Sequence, residues 1–175
     1  MERNLPRVRT EAGSDKEERL AALFDSCYPR VARYVYARTG DRTDAEDIAA
    51  ETFLRALESV DRYQERGLPM EAWLFRIAHN LVVDHLRRAG RFERADEHEE
   101  LQTSDNPVHI AEERILMTDV RDAMERLTQD QKNVLSLRFF AGLSSKETAA
   151  ALQKSDGAVR EMQRAALERL RGLLR

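Results

Sequence analysis

Apolar residues at positions 20, 23, 24, 27, 28, 31, 34 and 35 advance by threes and fours, and no segment shows convincing strand alternation. The pattern predicts an all-α chain, with a first helix from about Lys16 to Arg38 stopped at Gly40. "TDAE" at Thr43 to Glu46 has the spacing of a capping box and would open a second helix along Ala45, Ile48, Ala49, Thr52, Phe53, Ala56 and Leu57. "DRYQERGLPMEAW" breaks the period. Pro69 suits the first turn of a third helix, where its missing amide hydrogen has no partner to lose, and Gly90 suits its end.

From Arg91 to Asn106 no apolar stripe is sustained and carboxylates outnumber arginines, which predicts an acidic linker. After Pro107 the helical period returns through positions 115, 116, 120, 123, 124 and 127. "TQDQ" at Thr128 and "SSKE" at Ser144 are two further capping boxes, and a last helix runs through Val159, Met162, Ala166, Leu167, Leu170 and Leu174. The expected architecture is two small helical domains joined by a flexible acidic tether. Its divisions are a tail at 1–17, an N-terminal bundle at 18–90, the linker at 91–110 and a C-terminal module at 111–175.

Several chemistries have no apparatus here. Cys27 is the only cysteine, and the histidines at 79, 85, 98 and 109 never share the spacing that aims two at one metal, so no metal or cofactor site is expected. No nucleophile beside a base and no phosphate-cradling glycine loop is visible, and the chain reads as a non-enzyme. The longest apolar runs are a few residues, too short to span a bilayer. The N-terminus shows no secretory signal, so the expected location is the cytoplasm. A formal net charge of −3 argues against a general polyanion binder. Any nucleic-acid contact must come from local patches.

Two such patches stand out. On "WLFRIAHNLVVDHLRR", Trp73, Leu74, Ile77, Ala78, Leu81 and Val82 share one side, while Arg76, His79, Asn80, Val83 and Arg87 share the other. A solvated helix back whose late arginines favour the helix dipole would look the same as a face offering arginines to phosphates and Asn80 and His79 to base edges. The nearby aromatics Tyr63, Trp73 and Phe75 could stack on bases, but core packing is the better reading for the aromatics, especially Trp73 and Phe53. The second patch is "LSSKETAAALQKSDGAVREMQRAALERLR", a short capped helix, a turn and a longer helix exposing Arg160, Gln163 and Arg164. That is a helix-turn-helix arrangement, with small residues at Ser155, Asp156, Gly157 and Ala158 letting the second helix enter a major groove end-on; a plain helical hairpin fits the same apolar pattern.

Taken in order, these pieces resemble bacterial sigma factors of the compact extracytoplasmic-function group of the sigma-70 family. "DAEDIAAETFLRALE" is similar to the region that grips the polymerase clamp, "AWLFRIAHNLVVDHLRR" to the region that melts and reads the −10 promoter element, and "LTQDQKNVLSLRFFAGLSSKETAAALQKSDGAVREMQRAALERLRGLL" to the domain that reads the −35 element. The resemblance implies binding to the β and β′ subunits of core RNA polymerase through Asp44, Glu46, Asp47, Glu51, Phe53 and Arg55. It implies −10 DNA contacts from Tyr63, Arg66, Arg76, His79, Asn80, Asp84, Arg87 and Arg88, with the Tyr63 to Leu68 loop where the family captures a flipped base. It implies −35 contacts from Lys154, Ser155, Asp156, Gly157, Ala158, Arg160, Glu161, Gln163 and Arg164. An anti-sigma factor is an expected further partner. "LQKSDGAVREM" departs from the usual pattern in lacking a glycine after leucine and in carrying Glu161 and Met162 where small or basic residues are frequent. Base preference therefore does not transfer. The alternative is a free-standing helix-turn-helix regulator whose N-terminal bundle senses a signal or dimerises, and a third reading is an adaptor whose basic stripes serve acidic partners.

Overall fold

Tertiary anchoring carries the first helix past the start of its apolar stripe. The computed structural model describes residues 11–90 and 119–174, and α1 spans Glu11–Thr39 rather than beginning near Lys16. Lys16 explains part of the extension, because its Nζ donates to the backbone oxygens of Asp61 at 3.1 Å and Tyr63 at 2.8 Å and ties the early turns to the body. The first ten residues, the acidic segment Arg91 to Asn106 and Pro107 lie outside the described residues.

The second helix, α2, spans Arg42–Ser59, and its cap corrects the sequence reading. Asp41, not Thr43, is the N-cap, accepting from the Asp44 amide at 2.8 Å, while Glu46 turns outward to Arg42 at 3.2 Å. Asp41 directly follows the helix-ending Gly40 and already sits in the extended conformation a cap requires, so the helix starts one residue before Thr43. Leu57 is also corrected. Ala49, Phe53, Ala56 and Val60 continue the buried line at helical spacing, and Leu57 falls outside it.

A short 3₁₀ turn at Val60–Arg62 and a loop lead to α3, Met70–Arg88, with Pro69 at its N-cap and Gly90 beyond its C-cap in the left-handed region at φ 66°. Residues 119–125 form α4 and Gln129–Leu135 form α5, which continues as a π-helical turn at Ser136–Phe140. The short helix α6 spans Ser145–Leu152 and the long helix α7 spans Asp156–Leu173. Both C-terminal capping boxes form as read, Thr128 with Gln131 and Ser144 with Glu147. No strand occurs among the described residues.

One large core is built by α1, α2 and α3 around Tyr34, Val31, Phe53, Leu74, Phe75 and Val82. Each such large side chain taken from water contributes about 1.5–3 kcal/mol. Smaller clusters hold the C-terminal helices together: Leu127, Leu135 and Ala166 join α5 to α7, and Val134, Ala149 and Val159 seat α6 between them. Leu137, Ala141, Leu143 and Ala151 belong to the large N-terminal core rather than to these, so the two helical sets share apolar surface.

Candidate polymerase and nucleic-acid interfaces

On α2 the acidic residues line the outer surface. Asp47 is exposed, Glu51 pairs with Arg55 at 2.7 Å, and Asp44 bonds His85 Nε2 of α3 at 2.9 Å. Phe53 is buried rather than presented, with its ring 4.8 Å from Phe24 and 5.9 Å from Tyr28. Leu54, Leu57 and Phe24 instead stand about half exposed on this surface. Their exposure went unread in the sequence. The available signal was Leu54, an apolar residue off the buried stripe beside charged Arg55. An apolar patch rimmed by carboxylates and an arginine has the make-up of a protein-docking surface.

The α3 residues that share a face on the helical wheel are divided in space. Asn80, Arg87 and Arg88 are exposed, and Asp84 lies 3.8 Å from Arg87. Arg76 instead donates from Nη2 to the backbone oxygen of Ala150 in α6 at 2.9 Å. His79 lies behind the exposed face with Nδ1 3.0 Å from the Tyr34 hydroxyl. Burial, followed by the charge of Arg38, holds the His79 imidazole down to about 4, so the ring is neutral at pH 7. Tyr34, fully buried, is pushed up to about 12 by desolvation.

Tyr63 and Arg66 mark the two sides of the loop before α3. Tyr63 is buried, its ring centroid 5.1 Å from that of Trp73, and its hydroxyl donates to Leu68 O at 2.7 Å. That bond ties the loop's two ends. Gln64, Glu65, Arg66 and Gly67 form its exposed tip, with Glu65 paired to Arg19 at 3.1 Å. Trp73 packs against the core and Phe75 is wholly buried. Any base contact at this loop therefore falls to the tip and to Asn80, with Tyr63 as the buttress beneath.

The first turns of α7 are open. Ser155 caps the helix by accepting from Ala158 N at 3.1 Å, and a side chain added at Gly157 would meet nothing within 4 Å. Asp156 accepts from Ser145 of α6 and pairs with Arg160, and these contacts, led by the Ser145 hydroxyl, hold its carboxyl below the usual range. Lys154 reaches Asp130 at 3.2 Å, and Arg164 lies between Glu161 at 2.5 Å and Glu168 at 2.6 Å. Gln163 differs from the rest, because its side-chain oxygen accepts from Arg138 Nε at 2.8 Å and faces the π-helical turn. Lys154, Arg160 and Arg164 are exposed, each paired with a neighbouring carboxylate. Solvent screens such exposed pairs, so a phosphate can displace them.

Comparison with known proteins fits this division. A family model described as Sigma-70 region 2 matches residues 23–92, and one described as Sigma-70, region 4 matches residues 123–172. The chain is 37% identical over 175 residues to the ECF RNA polymerase sigma factor SigD of Mycobacterium tuberculosis, covering 95% of this chain and 82% of SigD. It is 35% identical over 170 residues to the ECF RNA polymerase sigma factor BldN of Streptomyces coelicolor, covering 95% of this chain and 63% of BldN. Among solved structures it is similar to CnrH in complex with the cytosolic domain of CnrY, with TM-score 0.69, 26% identity and coverage of 94% of this chain and 92% of CnrH. The fold is also that of the sigma factor RpoE in complex with the anti-sigma factor NepR from Bartonella quintana, with TM-score 0.67 at 22% identity, covering 90% of this chain and 97% of that one.

Proposed function

The chain belongs to the extracytoplasmic-function group of sigma-70 family RNA polymerase sigma factors, and from that membership we propose that it directs promoter-specific transcription initiation by core RNA polymerase. The observation that carries this reading is the pairing, in one chain and in family order, of a region 2 match over 23–92 with a region 4 match over 123–172. The free-standing regulator is set aside on the same ground, since the N-terminal bundle is accounted for by region 2.

In this reading the N-terminal module is residues 18–90 and the C-terminal module 111–175. The outer face of α2, with Asp47, Glu51 and Arg55 around Leu54 and Leu57, binds the polymerase clamp. Apolar contact supplies affinity and the charged rim sets register. Asn80, Arg87, Arg88 and the Arg66 loop tip meet the −10 element as it opens. The first turns of α7, from Lys154 to Arg164, enter the major groove at −35. Good base contacts contribute about 1–3 kcal/mol each, so each module alone binds weakly and polymerase makes them act together through effective concentration. The chain itself performs no covalent chemistry and works in the cytoplasm, where polymerase and promoters are. An anti-sigma factor is a further proposed partner, supported by the likeness to sigma factors held in complexes.

A gel-shift series tests the proposal. Promoter fragments should be retained by core polymerase plus this chain and by neither component alone at the same concentration. Specific retention by the chain alone, unchanged by polymerase, would instead return the free-standing regulator.

A further inference from the structure

We propose that Lys16 and Arg19, in the first turns of α1, are positioning residues for the loop between the 3₁₀ turn and α3, and that they set base discrimination at that loop. The meeting of the loop with an unpaired base rests on the sigma-factor reading; its being held from α1 does not.

α1 starts earlier than its packing requires. Among the described side chains its buried line begins at Leu20, yet the helix begins at Glu11, and Asp15 to Arg19 is charged at every position. What these turns touch is the loop. Lys16 Nζ donates to the backbone oxygens of Asp61 at 3.1 Å and Tyr63 at 2.8 Å, at the end of the 3₁₀ turn. The last carbonyls of a helical turn find no partner within it and carry its negative end, so an ammonium placed there from another helix fixes both. One turn further along α1, Arg19 Nη2 meets Glu65 Oε2 at 3.1 Å. Residues three apart share a helix face, which is why both cations reach the same loop.

The contacts divide the loop between them. On the α3 side the Tyr63 hydroxyl donates to Leu68 O at 2.7 Å, the Tyr63 ring rests on Trp73, and Gly67 makes the turn at φ 71°. These fix the exit of the loop, whereas Lys16 fixes its entry and Arg19 its tip. The Arg19 pair is exposed and screened, so its effect is on where Glu65 points rather than on stability. With that carboxylate drawn to α1 and partly neutralised, Gln64 and Arg66 are the tip's remaining polar side chains, both exposed. A loop already ordered gives up less freedom on binding, and apparent affinity falls in proportion to the fraction of molecules that hold the binding shape. Discrimination falls with it, because a loose loop settles around more than one base.

Lys16→Met keeps the side chain's length and removes its donor, and Lys16→Arg restores a donor able to span both oxygens. Each full chain is assembled with core polymerase and offered a pool of short single-stranded DNA of random sequence, and the retained strands are sequenced. In the parent, one position should be dominated by a single base. Lys16→Met should lower that preference about fivefold while sparing the other enriched positions, and Lys16→Arg should recover most of it. In the free chains, backbone amides at 64–68 should exchange hydrogen faster in Lys16→Met and Arg19→Ala than in the parent, with melting temperatures within about two degrees. Unchanged exchange in either variant, an unchanged base preference in Lys16→Met, or a loss spread evenly over all positions would overturn the proposal and leave the sigma-factor reading intact. A parent holoenzyme that selects no sequence would overturn both.

Discussion

The hydroxyl of Tyr34 in α1 lies 3.0 Å from Nδ1 of His79 in α3, so a histidine whose position on the wheel suggested a DNA face is part of the bundle's interior. His79 is surrounded by Tyr34 and Arg38 on α1 and by the charges of Asp130 and Lys154 from the C-terminal module, and burial dominates in holding it near 4. An unfolded chain takes this proton near 6.5. Between those values the unfolded state binds more protons, so stability is complete above about pH 6.5 and falls as pH drops toward 4, by roughly 3 kcal/mol in total. Urea denaturation at pH 7 and pH 5 should show a smaller loss in His79→Gln than in the parent.

The exposed apolar patch on α2 separates binding from folding. Leu54 is 57% exposed, so Leu54→Glu should leave the melting temperature within a degree or two while lowering core-polymerase affinity at least about tenfold in a pull-down or fluorescence titration. Leu74 is wholly buried, and Leu74→Ala should cost about 2–5 kcal/mol of stability.

Asn80 on α3 and Arg160 on α7 are both exposed, and the proposed function gives them different promoter elements. Asn80→Ala should slow promoter opening, seen as reduced permanganate reactivity of −10 thymines, with upstream footprints unchanged. Arg160→Glu should weaken the upstream footprint first, and a pre-melted −10 bubble should not rescue it. Identical effects of the two substitutions would contradict the division of labour.

Gln153 ends α6 in the left-handed region at φ 55°. An L side chain there costs about 1–2 kcal/mol, partly offset in glycine by its greater freedom when unfolded. Gln153→Gly should therefore raise the melting temperature by a few degrees. This is the position where the sequence lacks the family's usual glycine, and the backbone keeps the turn regardless because the Gln153 and Lys154 amides both reach oxygens of α6.

Sequence legibility followed the locality of the interactions. The boxes at Thr128 and Ser144 were readable because donor and acceptor lie three residues apart, and the α3 core face because its period is regular. The box at Thr43 does not form because the helix already starts at Arg42, capped by Asp41, which accepts from the Asp44 amide. A helical wheel puts Arg76 and His79 on the face open to DNA because it shows spacing and not neighbours. Their partners are Ala150 O, a backbone oxygen 74 residues away, and Tyr34, 45 residues back, and neither leaves a mark in the α3 sequence. The recognition-helix turn was visible, but its internal neutralisation, from Asp156 with Ser145 to Arg164 with Glu161, depended on side-chain directions.

The central claim, that this chain selects promoters for core RNA polymerase, is tested most directly by mapping RNA 5′ ends made from genomic DNA by purified core polymerase with and without the chain. Addition of the chain should create a limited set of new start sites sharing two sequence elements about 25 base pairs apart, and Arg160→Glu should erase most of them. An unchanged set of 5′ ends, from a chain shown to be folded, would contradict the account.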